Sequence, residues 1–242
     1  MNESIINDLR RAIVDVTGCS KPKPERRYHK HDQYISYSLK AADFHRLMKE
    51  FRPRFLELEL KERLELAKKL LNKHIGELGH AGLFVLGESV EELKPKHFSL
   101  FDSMAEDFRS WSHVDGFSIG VVGPLLLKFP KETLSLLEDW NCSPNLFKRR
   151  ASVVTFTWKV AESGEFTEEA LRLCENLIWD KEDIVRKGVG WALKDNMRSA
   201  PERVLSYVKD LRRRGVSSTI TLYAIRDLST AQRKKILAIK KK

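Results

Sequence analysis

Leu146-Phe147-Lys148-Arg149-Arg150-Ala151 returns about 37 residues later as Asp183-Ile184-Val185-Arg186-Lys187-Gly188. Both stretches place apolar residues ahead of a basic pair and then a small residue. Each follows a shorter apolar-periodic segment with an aromatic residue near its end, Trp140 in one case and Trp179 in the other. A recurring unit of two helices cannot bury its apolar face alone, so neighbouring units must stack.

Working outward, apolar residues recur at helical spacing along most of the 242 residues. Ile5, Ile6, Leu9, Ile13 and Val16 form a stripe that ends at Gly18. Helices are expected over Lys40–Phe51, with Pro53 as the breaker, and over Leu58–Leu71, Leu78–Leu86, Phe98–Phe108 and Val114–Phe129, the last disturbed at Gly123-Pro124. Further helices are expected over 131–140, 145–162, 167–178, 183–197, 200–212 and 230–239. Val216–Tyr223 is strand-like in composition, but a lone strand has no partner, so it reads as helix or loop. The expected fold is therefore all-α: a right-handed α-solenoid of HEAT-like helical repeats with a concave basic groove. It is read as a single domain over 1–242, with a basic connector at 19–33 and a basic C-terminal tail at 230–242.

The formal net charge of +10 attracts a polyanion, and nucleic acid is the commonest such partner. Three well-separated cysteines, Cys19, Cys142 and Cys174, offer no disulfide framework or C-x-x-C pair. The polar start Met1-Asn2-Glu3-Ser4 does not read as a signal peptide, and no apolar run is long enough to span a bilayer. These features fit a monomeric cytoplasmic protein without a membrane partner.

Three clusters fall at matching points of successive units: Trp111-Ser112-His113-Val114-Asp115, then Lys148-Arg149-Arg150, then Arg186-Lys187 with Trp191. Cations suit phosphates and indoles suit bases or sugars. Trp111 and Asp115 are four apart and share a helix face if the helix includes both. Other readings stand beside these. Ser112-x-x-Asp115 fits a capping box. Trp191 could be core, Arg149 and Arg150 could be solvated at a helix start, and His113 could lie on the surface. His29, His31 and Asp32 invite a metal, but no other ligand cluster supports one, so neither metal nor cofactor is expected.

The same segments carry a resemblance. Trp111–Asp115 is similar to the Trp-Asp-x-Val/Ile-Asp segment of AlkD-type DNA alkylation repair glycosylases, and Val122-Gly123-Pro124-Leu125 to the segment that follows it. Phe147–Ala151 resembles that family's arginine-bearing helix start, and Val185–Leu193 its Ile-x-Lys-Ala-Ile-Gly-Trp-x-Leu segment. The chain departs from the pattern at Ser110 and Ser112. The resemblance implies excision of positively charged N3- and N7-alkylated purines, such as 3-methyladenine and 7-methylguanine, from duplex DNA without flipping the base. It implies Asp115 as catalytic carboxylate, Trp111 and Trp191 as indoles bracketing the lesion, Arg150 as a DNA contact beside them, and Tyr28 as a further contact. Lys148, Arg149, Arg186, Lys187 and His113 complete the expected DNA-facing set.

The chemistry is coherent. A cationic alkylpurine is already a good leaving group, and its departure moves positive charge onto the deoxyribose. At 4 Å and an effective dielectric of 20, a carboxylate stabilises a unit positive charge by about 4 kcal/mol. Realised in the transition state, that is roughly a thousandfold in rate. The rival functions are a non-catalytic DNA-binding solenoid preferring bent or branched DNA, and a helical protein-interaction scaffold.

Overall fold

The computed structural model describes residues 2–26 and 34–240. Tyr28 and the His29, His31 and Asp32 trio lie outside them. The chain is all-α, built from HEAT-like helix pairs, and divides into two compact units, Met1–Val121 and Val122–Lys242.

In the first unit, α1 (Asn2–Thr17) buries Ile5, Ile6, Leu9 and Ile13 and ends at Gly18, whose φ of +65° suits a glycine stop. Val16, the last member of the expected stripe, is exposed. β1 (Lys23–Pro24), inside the expected connector, pairs antiparallel with β2 (Ile35–Ser36) just beyond it. Helix α2 (Ala41–Leu56) runs through Pro53 instead of stopping before it. Pro53 forfeits the one bond its N–H would make to the Lys49 carbonyl, and burial of Phe55 and Leu58 carries the chain onward. Helix α3 (Leu60–Leu71) begins with a reciprocal cap between Glu59 and Glu62 and packs against α4 (Gly76–Glu88). Two short 3-10 turns, Val90–Glu92 and Pro95–His97, lead to α5 (Phe98–Glu106) and α6 (Trp111–Phe117). Edge-on contacts of Phe117 with Phe101 and Phe108 seat α6 in this core. A π-helical turn, Ser118–Val122, follows α6, so the expected continuous helix from Val114 is interrupted before Gly123.

The second unit contains α7 (Gly123–Lys128), α8 (Pro130–Asn141), α9 (Leu146–Val154), α10 (Trp158–Ser163), α11 (Thr167–Leu177), α12 (Asp183–Asn196), α13 (Pro201–Arg213), α14 (Ser218–Ala224) and α15 (Thr230–Leu237). The pairs α8/α9, α11/α12 and α13/α14 repeat. Their second helices begin at 146, 183 and 218, and their first helices at 130, 167 and 201. The third pair contains the Ser/Thr-rich stretch Val216–Tyr223, which folds as helix because Ser217 caps α14 and Ile220 is buried against the stack. The expected helix 145–162 is two helices, broken at 155–157 just ahead of Trp158.

Side chains join successive pairs. Asn141 at the end of α8 donates to Ser152 Oγ on α9 at 2.8 Å and to the Leu173 carbonyl on α11 at 3.2 Å. Asn196 at the end of α12 repeats the device, donating to the Phe156 carbonyl at 2.7 Å. Along α8, α11, α13 and the C-cap of α13, Arg214, an ion-pair ladder follows the repeat: Glu138–Arg172, Glu168–Arg203 and Glu175–Arg214.

Candidate functional site

Helix α6 carries the first cluster. Its N-cap is Ser110, whose Oγ accepts the Ser112 N–H at 3.1 Å. The expected capping box with Ser112 as N-cap and Asp115 as its partner is therefore absent. Ser112 is already the second helical residue, and Asp115 the fifth, past the donors that a cap serves. Trp111 and Asp115 share the helix, one turn apart. Asp115 is 8% exposed and Trp111 half-buried.

His113 is buried, so it is not a surface histidine. Its Nε2–H donates to the Gly76 carbonyl at 3.0 Å, and its ring packs edge-on against His80 at 4.6 Å between centroids. Tyr34 lies 5.6 Å from the same ring and hydrogen-bonds the Ser112 side chain. Burial, and next the negative charges of Glu77 and Glu25, push the Tyr34 hydroxyl above its ordinary pKa, so it stays neutral. A side chain at Gly79 would lie 2.5 Å from His113 Nε2, and one at Gly76 would overlap Tyr34. The bare start of α4 thus lets α6 and Tyr34 settle onto its backbone.

Glu77 anchors the segment that brings Tyr34 there. Its buried carboxylate accepts Ser36 Oγ–H at 2.6 Å, Tyr37 N–H at 3.1 Å and Leu39 N–H at 3.2 Å. The sequence reading did not single out Tyr34, Glu77 or His80. Only the glycines of Gly76-Glu77-Leu78-Gly79 hint at such close approach.

The second unit holds the other clusters. Asn145 caps α9, accepting the Phe147 N–H at 2.9 Å. The basic triad that follows is built into the packing, contrary to a solvated helix start. Arg149 donates to Asp180 at 2.6 Å and to the Ser143 and Pro144 carbonyls. Asp180 also accepts the Glu182 N–H at 2.8 Å, so this pair joins the starts of α9 and α12. Arg150, 5% exposed, donates to the Ile184 carbonyl on α12, and Lys148 is buried as well. Arg186 and Lys187 pair with Asp183, Lys187 at 2.8 Å. The Lys187 ammonium, helped by the field of Arg186 and a bond from Thr219 and opposed by burial, holds the Asp183 carboxyl below its usual pKa. Trp191 is half-buried, and its Nε1–H donates to Asp195 Oδ2 at 3.0 Å. Gly188 and Gly190 give α12 its close neighbours: a side chain at 190 would meet Tyr223 Cβ at 2.6 Å and the Ile220 carbonyl at 2.9 Å on α14.

Among the described residues no cluster of three His, Cys, Asp or Glu could hold a metal, and no helix is long and apolar enough to cross a membrane.

Paired helices repeated at this spacing define a class of helical-repeat proteins. The DNA alkylation repair enzyme family profile matches residues 19–228, and the chain belongs to that family. Among solved structures it is similar to one described as a predicted DNA alkylation repair enzyme from Enterococcus faecalis, at 14% identity and a TM-score of 0.71, covering 91% of this chain and 96% of that one. It is also similar to a Streptococcus mutans UA159 protein, smu.31, at 21% identity and a TM-score of 0.55, covering 82% and 98%. A third is the Pseudomonas fluorescens alkylpurine DNA glycosylase AlkC bound to DNA containing an abasic site analog, at 17% identity and a TM-score of 0.56, covering 97% and 66%. No curated protein sequence matches the chain.

Proposed function

We propose that this chain is a monofunctional DNA glycosylase that releases cationic N3- and N7-alkylpurines from duplex DNA. The observation that carries the reading is the position of Asp115: one turn beyond Trp111 on α6, past the cap that Ser110 provides, in a chain of the DNA alkylation repair enzyme family. Burial lowers the dielectric around Asp115, which strengthens its attraction for a sugar that turns cationic as the base leaves. The same group can orient the attacking water. Trp111 would lie along the nucleotide, adding about 0.5–2 kcal/mol of cation–π attraction for a charged base.

In the second unit, Trp191, Arg186 and Lys187 are assigned to the DNA strand. Arg150 is assigned to the DNA as well, with its guanidinium held by the Ile184 carbonyl, while Arg149 ties the start of α9 to Asp180 and Lys148 is buried in the same turn. His113 acts on the site from beneath, by fixing α6 on α4. No step calls for a metal or cofactor.

The experiment is base release from methylated duplex DNA. Wild-type protein should liberate 7-methylguanine, and Asp115→Asn should slow release by about tenfold or more. Equal release by the Asn variant removes Asp115 from the mechanism. Salt-dependent duplex binding without any release would favour the non-catalytic DNA-binding reading.

A further inference from the structure

Trp158 opens α10 with a φ of +51°, in the left-handed region where a bulky side chain is rarely found. At the other end of the same helix a left-handed residue also occurs, and there it is Gly164. The Trp158 side chain is among the most exposed large apolar groups of the protein, with the residue 56% accessible. Burial of the ring therefore gives a weak reason for accepting this conformation. Glycine would make the turn without the steric conflict.

What holds Trp158 in place is one buried carboxylate. Asp195 Oδ2 accepts the Trp158 backbone N–H at 3.1 Å and the Trp191 Nε1–H at 3.0 Å. Its Oδ1 faces Lys194 Nζ at 3.0 Å and Arg198 Nη2 at 3.8 Å. Both cations also reach the exposed Asp227, at 3.4 and 3.5 Å. A single oxygen atom thus sets the backbone that carries one indole and the ring nitrogen of another. Strained residues held from outside concentrate at binding sites, where the fold maintains a conformation that folding alone does not favour.

We propose that Trp158 is a second DNA-contacting indole of the unit, and that Asp195 is the positioning residue that sets Trp158 and Trp191 as a pair. The ligand is a nucleic-acid strand: indoles take bases or sugars by stacking, and the exposed Lys159 and Arg198 near the pair suit phosphates. This inference rests on the DNA-binding part of the function proposed above.

The test uses Trp158→Gly and Trp158→Ala, with a fluorescein-labelled undamaged duplex at low salt. Both variants should lose affinity by about fivefold or more, the low end for one stacked contact. Trp158→Gly should nevertheless melt higher than Trp158→Ala, although glycine is ordinarily the less stabilising residue, because it alone adopts a left-handed φ without strain. Asp195→Asn, which keeps a carbonyl oxygen for both donors, should retain near-native affinity, while Asp195→Ser should lose it at unchanged helical content. Wild-type binding with unchanged affinity in both Trp158 variants overturns this inference alone. So does an alanine variant that melts at or above the glycine one. A wild-type protein with no affinity for the duplex overturns both this inference and the DNA-binding reading beneath it.

Discussion

The Ser112 N–H donates to Ser110 Oγ at 3.1 Å, and this bond decides where α6 begins. It puts the cap two residues ahead of the position that Ser112-x-x-Asp115 suggests, and Asp115 a full turn inside the helix. Ser110 is fully buried, so its hydroxyl is the partner that the first turn has in place of water. Ser110→Ala should lower stability by about 1 kcal/mol, within the 0.5–2 kcal/mol range for losing such a cap. Asp115→Asn should leave the cap intact, and with it the seating of α6. Chemical denaturation of the two variants separates these expectations: a Ser110→Ala protein as stable as wild type would mean that the cap lies elsewhere.

Glu77 gathers three donors from residues 36–39 onto the first turn of α4, and so carries Tyr34 toward Ser112 and His113. Glu77→Ala strands those donors in a buried setting and should cost about 2–4 kcal/mol. Glu77→Gln keeps one carbonyl oxygen and should cost clearly less. Urea unfolding monitored by circular dichroism measures both. Equal stability of the alanine variant and wild type would mean that residues 35–39 do not depend on this carboxylate.

The helical class and most element boundaries were legible because amphipathic stripes are local: Ile5, Leu9 and Ile13 and the α9/α12 recurrence need no tertiary knowledge. Local sequence pointed to Ser112 as the cap of α6, and only the folded chain puts Ser110 in that place. The third repeat was hidden by its composition, since Ser218-Thr219-Ile220-Thr221 lacks strong helix formers. The role of Arg149 was out of reach for another reason. Its partner Asp180 is 31 residues away, and nothing in a basic pair says which distant carboxylate will meet it. Trp158 was invisible because an unusual φ leaves no trace in periodicity.

The ladder along α8, α11 and α13 makes acid sensitivity predictable. The Arg203 side chain, bonded to Glu168, holds that carboxyl below its ordinary value of 4.5. Arg214 does the same for Glu175, against a smaller opposing effect of burial and with help from the Tyr207 hydroxyl. A carboxylate depressed on folding binds fewer protons in the native than in the unfolded state. Its contribution is therefore complete above the unfolded value and is lost as pH falls through the folded one. Thermal midpoints should decline as pH is lowered below about 4.5. Glu175→Gln should flatten that decline, and high salt should reduce it, because these pairs are partly exposed. An unchanged pH slope in the Gln variant would place the acid sensitivity elsewhere.

Gly190 precedes Trp191 in a segment read mainly for its indole, yet the glycine has a structural duty of its own. Helix α14 lies so close to α12 that a Cβ at 190 would meet Tyr223 Cβ at 2.6 Å and the Ile220 carbonyl at 2.9 Å. Both obstacles sit on or next to backbone, so a rotamer change cannot relieve them. The helices must separate, and α14 has only seven residues with which to keep its grip. Gly190→Ala gains helix propensity of about 1 kcal/mol. Overpacking costs typically 1–3 kcal/mol, and with a backbone obstacle the cost should prevail. The variant should therefore be destabilised by up to about 2 kcal/mol net, with faster amide exchange concentrated in 218–224. A variant more stable than wild type would show that propensity outweighs this contact and that α14 can move away at little cost.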